Sequence, residues 1–211
     1  MMKKIIVFIL SIWMTVQVCG QSWEKMKSVE EFSQRLNTTA SHTQSIACDF
    51  VQEKYLDVFA EKIISQGKFY FRKENKIALS YTQPLEYLMV INGPKLKIVS
   101  EGKTNLVDLG SNKMMNGMNN LLAACMTGDL SLLKDGYQME YLEDKNYYLV
   151  RIKPREQGVK NYLTGMAIWF DKKDMAVARL RLSENAGDYT EYQFLNRQFN
   201  TLKDDEKFVI R

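Results

Sequence analysis

Residues 81–96 read Tyr-Thr-Gln-Pro-Leu-Glu-Tyr-Leu-Met-Val-Ile-Asn-Gly-Pro-Lys-Leu. Within this stretch, residues 88–91 are apolar at every position and lead directly into the turn-forming run Asn92-Gly93-Pro94. A short apolar run that ends at such a turn predicts a β-strand. An ordinary antiparallel strand needs only one apolar face. This strand therefore has either a packed core on both sides, or one packed face and one face lining an apolar cavity, and the residues alone leave both explanations open.

Alternation of apolar and polar residues continues along much of the chain. It is clear from Ile46 to Val51 and from Phe69 to Tyr81, and further β-rich runs cover residues 147–153, 165–170, 175–183 and 189–195. Turn-forming runs punctuate them at 92–94, 101–103, 144–146, 171–174 and 185–188. Such short segments predict an antiparallel sheet that curls or closes, because an open flat sheet of about ten or more strands leaves unprotected edges.

An amphipathic helix is predicted near the N-terminus. Residues 28–31 have the capping-box pattern Ser-Val-Glu-Glu, and Val29, Phe32 and Leu36 follow at helical spacing. This pattern predicts a helix over residues 23–40 that lays one narrow apolar stripe on the rest of the molecule.

A second helix, with a broad apolar face, is predicted in the segment 112–134, where Gly128 would end it and Asp129 would cap a further short turn that carries Leu130, Leu132 and Leu133. Four of the nine methionines that follow residue 20 fall here. Methionine is unbranched and polarizable and is favoured where an apolar surface must repack around varied partners. The helix is therefore either packed permanently on the sheet or a lid over a variable apolar ligand. The lid side chains would be Met114, Met115, Met118, Leu122 and Met126.

The N-terminus has the form of a secretory signal peptide. Lys3 and Lys4 precede an uncharged run from Ile5 to Val18, and cleavage is expected after Gly20, leaving residues 21–211 as one domain. An uncleaved anchor is the weaker reading because spanning a bilayer takes roughly 18 or more apolar residues. Acylation of Cys19 is disfavoured because Val18 stands where lipoprotein signals have a small residue.

Charge and cysteine content narrow the function classes. Loss of Lys3 and Lys4 would lower the formal net charge from +4 to +2, and the remaining charges are mixed in sign along the chain, which does not favour nucleic-acid binding. Cys48 and Cys125 would enter an oxidising compartment, where they either pair or remain ordinary small apolar residues. Sequence does not fix the distance between them.

The residues give little support to an enzyme. His42 is the sole histidine and lies in a polar run that reads as an exposed loop, with no cysteine or second histidine near it for a metal and no Gly-x-Ser-x-Gly motif. The acidic runs 30–31 and 204–206 are typical of solvated segments. A lipid hydrolase that uses His42 is the enzyme alternative.

The opening stretch resembles the LolA family of periplasmic lipoprotein carriers. The matching pattern is Thr-Gln-Pro-x-Glu-x-x-Met-Val-x-x-Gly-x-x-Leu over residues 82–96. Three further pieces follow in the family's order: Phe-x-Gln at 50–52, Gly-x-Phe at 67–69 and Asp-x-Thr-x-Tyr-x-Phe at 188–194. Together they cover nearly the whole chain after the signal peptide.

This resemblance implies a mainly β fold: an unclosed antiparallel barrel of about 11 strands, with an N-terminal helix and a helical lid over a hydrophobic cavity. It also implies a periplasmic monomer without cofactor or catalytic residue. The cavity would take the acyl chains of lipoproteins released by an inner-membrane ABC transporter and deliver them to an outer-membrane acceptor. The expected cavity wall consists of Phe50, Phe69, Phe71, Leu79, Tyr81, Leu88 and Val90.

The sequence departs from the family pattern in two places. Family members commonly have Arg-Pro after the second strand, where the arginine helps to hold the lid closed, whereas this chain has Lys73-Glu74. Lysine is a mobile point charge and not a rigid fork of donors, so Lys73 is a candidate lid latch of a looser kind. The aromatic-rich run after the glycine is replaced by Leu-Lys-Ile-Val at 96–99.

Two alternatives to lipoprotein transport remain outside the enzyme class. The same fold could carry or sense another lipid or a glycolipid. It could also be a filled β-domain without a cavity that binds another envelope protein.

Overall fold

The computed structural model describes residues 22–109, 130–133, 136–184 and 187–210. Within them the framework is a single sheet of twelve strands. In chain order these are β1 (Glu24–Lys25), β2 (Ser45–Leu56), β3 (Glu61–Arg72), β4 (Lys76–Gln83), β5 (Tyr87–Asn92), β6 (Lys95–Ser100), β7 (Lys103–Asp108), β8 (Tyr137–Glu143), β9 (Tyr147–Pro154), β10 (Gly165–Asp171), β11 (Val177–Ser183) and β12 (Tyr189–Phe199).

The strands lie in the spatial order β1-β8-β9-β10-β11-β12-β2-β3-β4-β5-β6-β7, and each neighbouring pair is antiparallel. The sheet is therefore unclosed, with β1 and β7 at its edges. This confirms the expected mainly β, unclosed antiparallel architecture. Twelve strands are described where about eleven were expected.

Among the described residues, two helices accompany the sheet: α1 (Val29–His42) and the single turn α2 (Gln157–Lys160). The helix start at Ser28 is as the capping pattern predicts, because its Oγ accepts a hydrogen bond from the Glu31 N–H at 3.1 Å. The prediction that this helix begins at residue 23 is wrong. Ser28 is extended, at φ −143° and ψ 103°, and residues 24–25 instead form β1 against β8.

The inner face of the sheet is the one on which α1 packs. Phe32 and Leu36 of α1 are buried, and the Phe32 ring centroid lies 5.0 Å from that of Tyr148 and 5.5 Å from that of Phe170. Side chains from β2 to β6 and from β8 to β12 join the same apolar cluster. Since residues from most of the width of the sheet meet around one helix, the sheet is curled about its inner face.

A second, smaller cluster covers the outer face of β4 and β5. Phe208, in the C-terminal segment 200–210, is fully buried against Ala78 and Val90, with Leu88 beside them. Asp205 of that segment bonds Arg72 at 2.8 Å and Lys76 at 2.7 Å. The acidic run 204–206 is therefore not merely solvated.

Packing on the two sides explains why residues 88–91 are apolar at every position. Tyr87, Met89 and Ile91 belong to the inner cluster, whereas Leu88 and Val90 pack under the C-terminal segment. Of the two explanations left open by the sequence, the described structure has apolar packing on both sides of this strand.

The strand turns define two ends of the sheet. The hairpin end carries the turns β2–β3, β4–β5, β6–β7 and β11–β12, together with the β9–β10 connection. The opposite end carries the turns β3–β4, β5–β6, β8–β9 and β10–β11, and we call it the helix end because α1 joins β2 there. Residues 57–60 of the β2–β3 turn include a short 3-10 turn, Asp57–Phe59. The described residues also form 3-10 turns at Leu130–Leu133 and Glu206–Phe208.

Candidate functional site

Six aromatic side chains form a connected group on the inner face, which we call the aromatic cluster. Its members are Phe50, Phe69, Tyr81, Tyr87, Tyr192 and Phe194. Ring centroids are 3.9 Å apart for the stacked pair Tyr81 and Tyr87, and 4.8 Å apart for Phe50 and Tyr81. The cluster spans β12, β2, β3, β4 and β5, so strands that are distant in sequence build one apolar surface.

The tyrosine hydroxyls of this cluster are held neutral. The Tyr81 and Tyr192 oxygens lie 3.3 Å apart, close enough for one hydroxyl to donate a hydrogen bond to the other. Burial in apolar surroundings raises the pKa of Tyr81, of Tyr192 and of Tyr87 above the ordinary value of 10.0. The cluster therefore offers apolar surface and neutral hydroxyls, and it has no ionised phenolate for chemistry.

One polar atom beside the cluster lacks a partner. The amide oxygen of Gln52 is buried and makes no hydrogen bond to any of the described residues. Gln52 lies directly across the β2–β12 pairing from Tyr192 and on the same face. Since a buried acceptor without a donor is costly, a ligand group with an N–H or O–H would be stabilised here.

A small cavity lies nearer the helix end, between α1 and the inner face. Its volume is about 30 Å³, and its wall includes Leu36, Ile46, Cys48 and Phe69. Burial raises the pKa of the Cys48 thiol to about 12, so this free cysteine is protonated at neutral pH and unreactive as a nucleophile. Roughly 300–1,000 Å³ is usual for a pocket that holds a drug-sized ligand, so this space admits no acyl chain as it stands.

The wall of this cavity has one charged corner. The Arg197 guanidinium donates hydrogen bonds to the carboxylates of Asp171 and Asp174, each at 3.0 Å. These two carboxylates neutralise the charge of Arg197. The guanidinium also donates a hydrogen bond to the carbonyl oxygen of Phe194 at 3.2 Å. These bonds tie the β10–β11 turn to β12 beneath the inner face.

A larger open groove lies at the hairpin end. Its volume is about 650 Å³, and it is lined by Tyr81 and Tyr87 of the aromatic cluster together with Leu85, Leu88 and Val99. The groove reaches the ends of β4, β5 and β6. The groove therefore lies at the rim of the sheet, with the stacked tyrosines of the inner face on one side and Leu88 and Val99 of the outer face on the other.

The structure brings together five of the seven expected cavity residues. Phe50, Phe69, Phe71 and Tyr81 are buried in the inner cluster, and Leu79 packs against it. The other two, Leu88 and Val90, belong to the outer cluster with Phe208. Their placement on the inner face was wrong, because adjacent strand residues point to opposite faces and the expected face of β5 was off by one residue.

Several inner-face residues were missed by the sequence analysis. Tyr87, Met89 and Ile98 are partly exposed and pack against the inner cluster, as does Tyr192. Tyr192 and Phe194 lie within the run 188–194 that carries part of the family pattern, so that run could have indicated them. No sequence feature distinguished Met89 from Leu88, since both are apolar.

The expected lid and its latch have different outcomes. Met114, Met115, Met118, Leu122 and Met126 lie outside the described residues. The Lys73 ammonium donates a hydrogen bond to the backbone oxygen of Ser41 at 2.8 Å, near the C-terminal end of α1. A cation is favoured at that position by the helix dipole. Its role as a lid latch stays a prediction.

His42 is exposed, as expected, but it is the last residue of α1 and not part of a loop. Its Nδ1 lies 2.7 Å from the carbonyl oxygen of Thr38. In the described residues, no group of three or more histidine, cysteine, aspartate or glutamate side chains is arranged to hold a metal ion. No helix there has the length and apolar character needed to cross a membrane.

Structural comparison finds distant proteins that are similar to this chain. An uncharacterised conserved protein from Thermus thermophilus is 8% identical, with a TM-score of 0.50, and the match covers 84% of this chain and 90% of that one. A LolA superfamily protein from Nitrosomonas europaea is 8% identical with a TM-score of 0.44, covering 87% and 98%. A putative outer membrane lipoprotein-sorting protein domain from Vibrio parahaemolyticus is 11% identical with a TM-score of 0.45, covering 84% and 94%.

Sequence comparison identifies the family. No curated protein sequence matches the chain. The family model described as outer membrane lipoprotein carrier protein LolA, however, matches residues 41–211, which include every strand from β2 to β12 and the whole aromatic cluster. The chain therefore belongs to the LolA family.

Proposed function

We propose that this protein is a periplasmic carrier that binds the acyl chains of lipoproteins against its inner face and moves lipoproteins from the inner to the outer membrane. The observation that carries the proposal is the continuous apolar inner face, whose tyrosines and cysteine are held neutral. An inner-membrane ABC transporter would supply the cargo and an outer-membrane acceptor would receive it. The protein performs no reaction in this scheme.

The energetics of transfer require such a surface. Exposing a hydrocarbon chain to water costs roughly 0.8 kcal/mol per CH₂, or about 12 kcal/mol for a chain of about sixteen carbons. Apolar side chains provide burial without directional bonds, so release needs no covalent step. The Gln52 oxygen would accept a hydrogen bond from an amide N–H of the cargo, and the tyrosine hydroxyls beside it would donate to an ester or amide carbonyl.

Cargo uptake in this scheme requires the inner face to open. The small cavity of about 30 Å³ cannot contain an acyl chain. Tyr87 and Met89 of β5 and Ile98 of β6, by contrast, are partly exposed on the inner face and could contact one. We place the entry route along these strands, beginning at the open groove of the hairpin end. Displacement of α1, whose Phe32 and Leu36 fill the interior, would then extend the site.

Native mass spectrometry of the periplasmic protein tests the proposal. Incubation with a detergent-solubilised triacylated lipoprotein is expected to give a one-to-one complex that is absent when the cargo lacks its acyl chains. Met89→Glu should abolish the complex because it puts a charge on the inner face, which is costly to bury. Leu106→Glu is the matched control, since Leu106 is exposed on β7. Equal binding by both variants would refute the proposed site.

A filled β-domain is the second candidate, favoured by the packed interior among the described residues. It predicts that no lipid is released when the protein is denatured and that an apolar dye does not bind the native state. A co-purifying lipid without lipoprotein binding would instead favour a carrier of another lipid or glycolipid.

A further inference from the structure

The β2–β3 hairpin exposes apolar residues at its far end, which we call the hairpin tip (residues 57–64). Val58 is 79% exposed and Phe59 is 68% exposed. Ile63 and Ile64 follow at 43% and 45%. An isolated exposed leucine or valine needs no explanation, but four large apolar residues within seven positions of one tip do.

The hairpin tip projects beyond its neighbour in the sheet. β4 pairs with β3 only from Gln66 onward, so residues 61–65 extend past the end of β4. At a rise of roughly 3.3 Å per residue, these five residues reach about 16 Å beyond it. The tip therefore extends well past β4 on one side, whereas on the other side β12 still pairs with β2 as far as Tyr55.

The tip is held in shape by polar contacts at its base. The Asp57 backbone N–H donates a hydrogen bond to a carboxylate oxygen of Asp188 at 2.7 Å, and Tyr55 stacks on Tyr189 at 5.3 Å between centroids. The Tyr189 hydroxyl donates to Glu53 at 2.5 Å. These contacts fix the β2 side of the hairpin while its apolar side chains remain outside the core.

Apolar side chains leave the tip on both faces. Ile63 lies opposite Lys54 and Ile64 lies opposite Glu53, and consecutive strand residues point to opposite sides. A protein groove that covered one face would leave the other in water. A lipid phase surrounds an inserted tip on every side, so exposure on both faces favours a bilayer as the occupant.

Other exposed apolar residues share this end of the molecule. In the described part of the chain, six of the eleven exposed large hydrophobic residues lie at the hairpin end. They are Val58, Phe59, Ile63, Ile64, Leu85 and Tyr162. Leu85 also lines the open groove, so a bilayer that received the hairpin tip would lie next to the entry route proposed above.

We propose that the hairpin tip inserts Val58 and Phe59 into the surface of a lipid bilayer and docks the hairpin end on the membrane. The tip carries two carboxylates, Asp57 and Glu61, and one ammonium, Lys62. It has no basic cluster to attract anionic headgroups. Insertion is therefore driven by burial of apolar surface and is shallow, with the charged residues at headgroup level. This docking stands independently of any lipoprotein cargo.

Vesicle flotation with protein purified from the periplasm tests the docking. Mass spectrometry first checks that residues 1–20 are absent, and the vesicles contain phosphatidylethanolamine and phosphatidylglycerol without lipoprotein. The wild-type protein is expected to float, and Val58→Ser with Phe59→Ser is expected to lower the partition coefficient at least tenfold. Raising the salt concentration from about 0.05 to about 0.5 M should change it less than twofold, because charge does not drive the binding.

Two further variants complete the test. Leu106→Ser, which removes an exposed apolar residue on β7, should leave flotation unchanged. Phe59→Trp should gain fluorescence quenching by brominated lipids, above the background of the native tryptophans. Circular dichroism checks that each variant is folded. Absence of flotation by the wild type, equal flotation by the double variant, or no added quenching in Phe59→Trp would overturn the proposal, whatever the result of the cargo experiment.

Discussion

Gly67 lies where two strands and an aromatic ring meet, and its replacement by alanine should destabilise the fold. A Cβ at this position would clash with the backbone oxygen of Ser80 on β4 and would lie 2.9 Å from two ring atoms of Phe50. The Phe50 ring could rotate, but the Ser80 oxygen belongs to the paired strand. It cannot retreat without disturbing the β3–β4 pairing, which already shifts register between Gln66 and Gly67.

The cost follows from overpacking. An extra methyl in a packed core costs typically 1–3 kcal/mol, and the backbone obstacle places Gly67→Ala near the upper limit, at about 3 kcal/mol. Urea unfolding followed by tryptophan fluorescence measures this difference. With a slope of roughly 2 kcal/mol per molar urea, the midpoint should fall by about 1.5 M. Cargo binding should weaken as well, because Phe50 is displaced within the aromatic cluster.

Gly158→Ala is the matched control. A Cβ on this glycine, in α2, meets no atom within 4 Å. Because alanine restricts the unfolded chain, the control should stabilise the protein by up to about 1 kcal/mol. An unchanged midpoint for Gly67→Ala would mean that β3 and β4 do not approach as described, and the reasoning about the aromatic cluster would fail with it.

Three further predictions concern the framework. Phe208→Ala should lower the free energy of unfolding by about 3–5 kcal/mol, measured in urea, because Phe208 is fully buried; a loss below about 1 kcal/mol would contradict the packing of the C-terminal segment. A hydrogen bond from Lys172 lowers the pKa of the Glu143 carboxyl below its ordinary value of 4.5. This bond should stabilise the fold by about 1.5–3 kcal/mol above pH 4.5, and that contribution should be lost as the pH falls through the lowered pKa. The free energies of unfolding of Glu143→Gln and wild type, measured in urea between about pH 7 and pH 3, should therefore become equal only in acid. A difference in these free energies that stays constant over this pH range would contradict the assignment. In a Cys125→Ser background, alkylation of Cys48 at pH 8 should be at least about 1,000-fold slower in the native than in the urea-unfolded protein. Mass spectrometry measures both rates, and equal rates would contradict the burial of Cys48.

Local sequence patterns predicted the elements whose causes are local. Ser28 starts α1 because its side chain satisfies a backbone N–H three residues along, and Asn92-Gly93 forms the β5–β6 turn, where Gly93 has φ +58°. Alternation of apolar and polar residues predicted β2, β3 and β4, because consecutive side chains of a strand point to opposite faces. Each of these features depends on residues close together in the chain.

The inner face could be predicted only in part. Phe50, Phe69 and Tyr81 each directly follow a polar residue in a strand, so their side of the strand can be predicted from the sequence. In β5 every residue from 88 to 91 is apolar. Side chains still alternate between the two faces, but the sequence does not show which of them point inward. The choice between Leu88 and Met89 is made by the C-terminal segment, which follows them by more than a hundred residues.

Short runs of residues are enough to predict an antiparallel β-structure with a capped helix and the LolA family pattern. The strand order, the contact of Tyr81 with Tyr192, the Gln52 oxygen that has no partner among the described residues and the covering of Val90 by Phe208 could be learned only from the folded molecule. These depend on which distant strands pair and on what packs over each face. Both are set by burial of apolar surface over the whole molecule and not by any local preference.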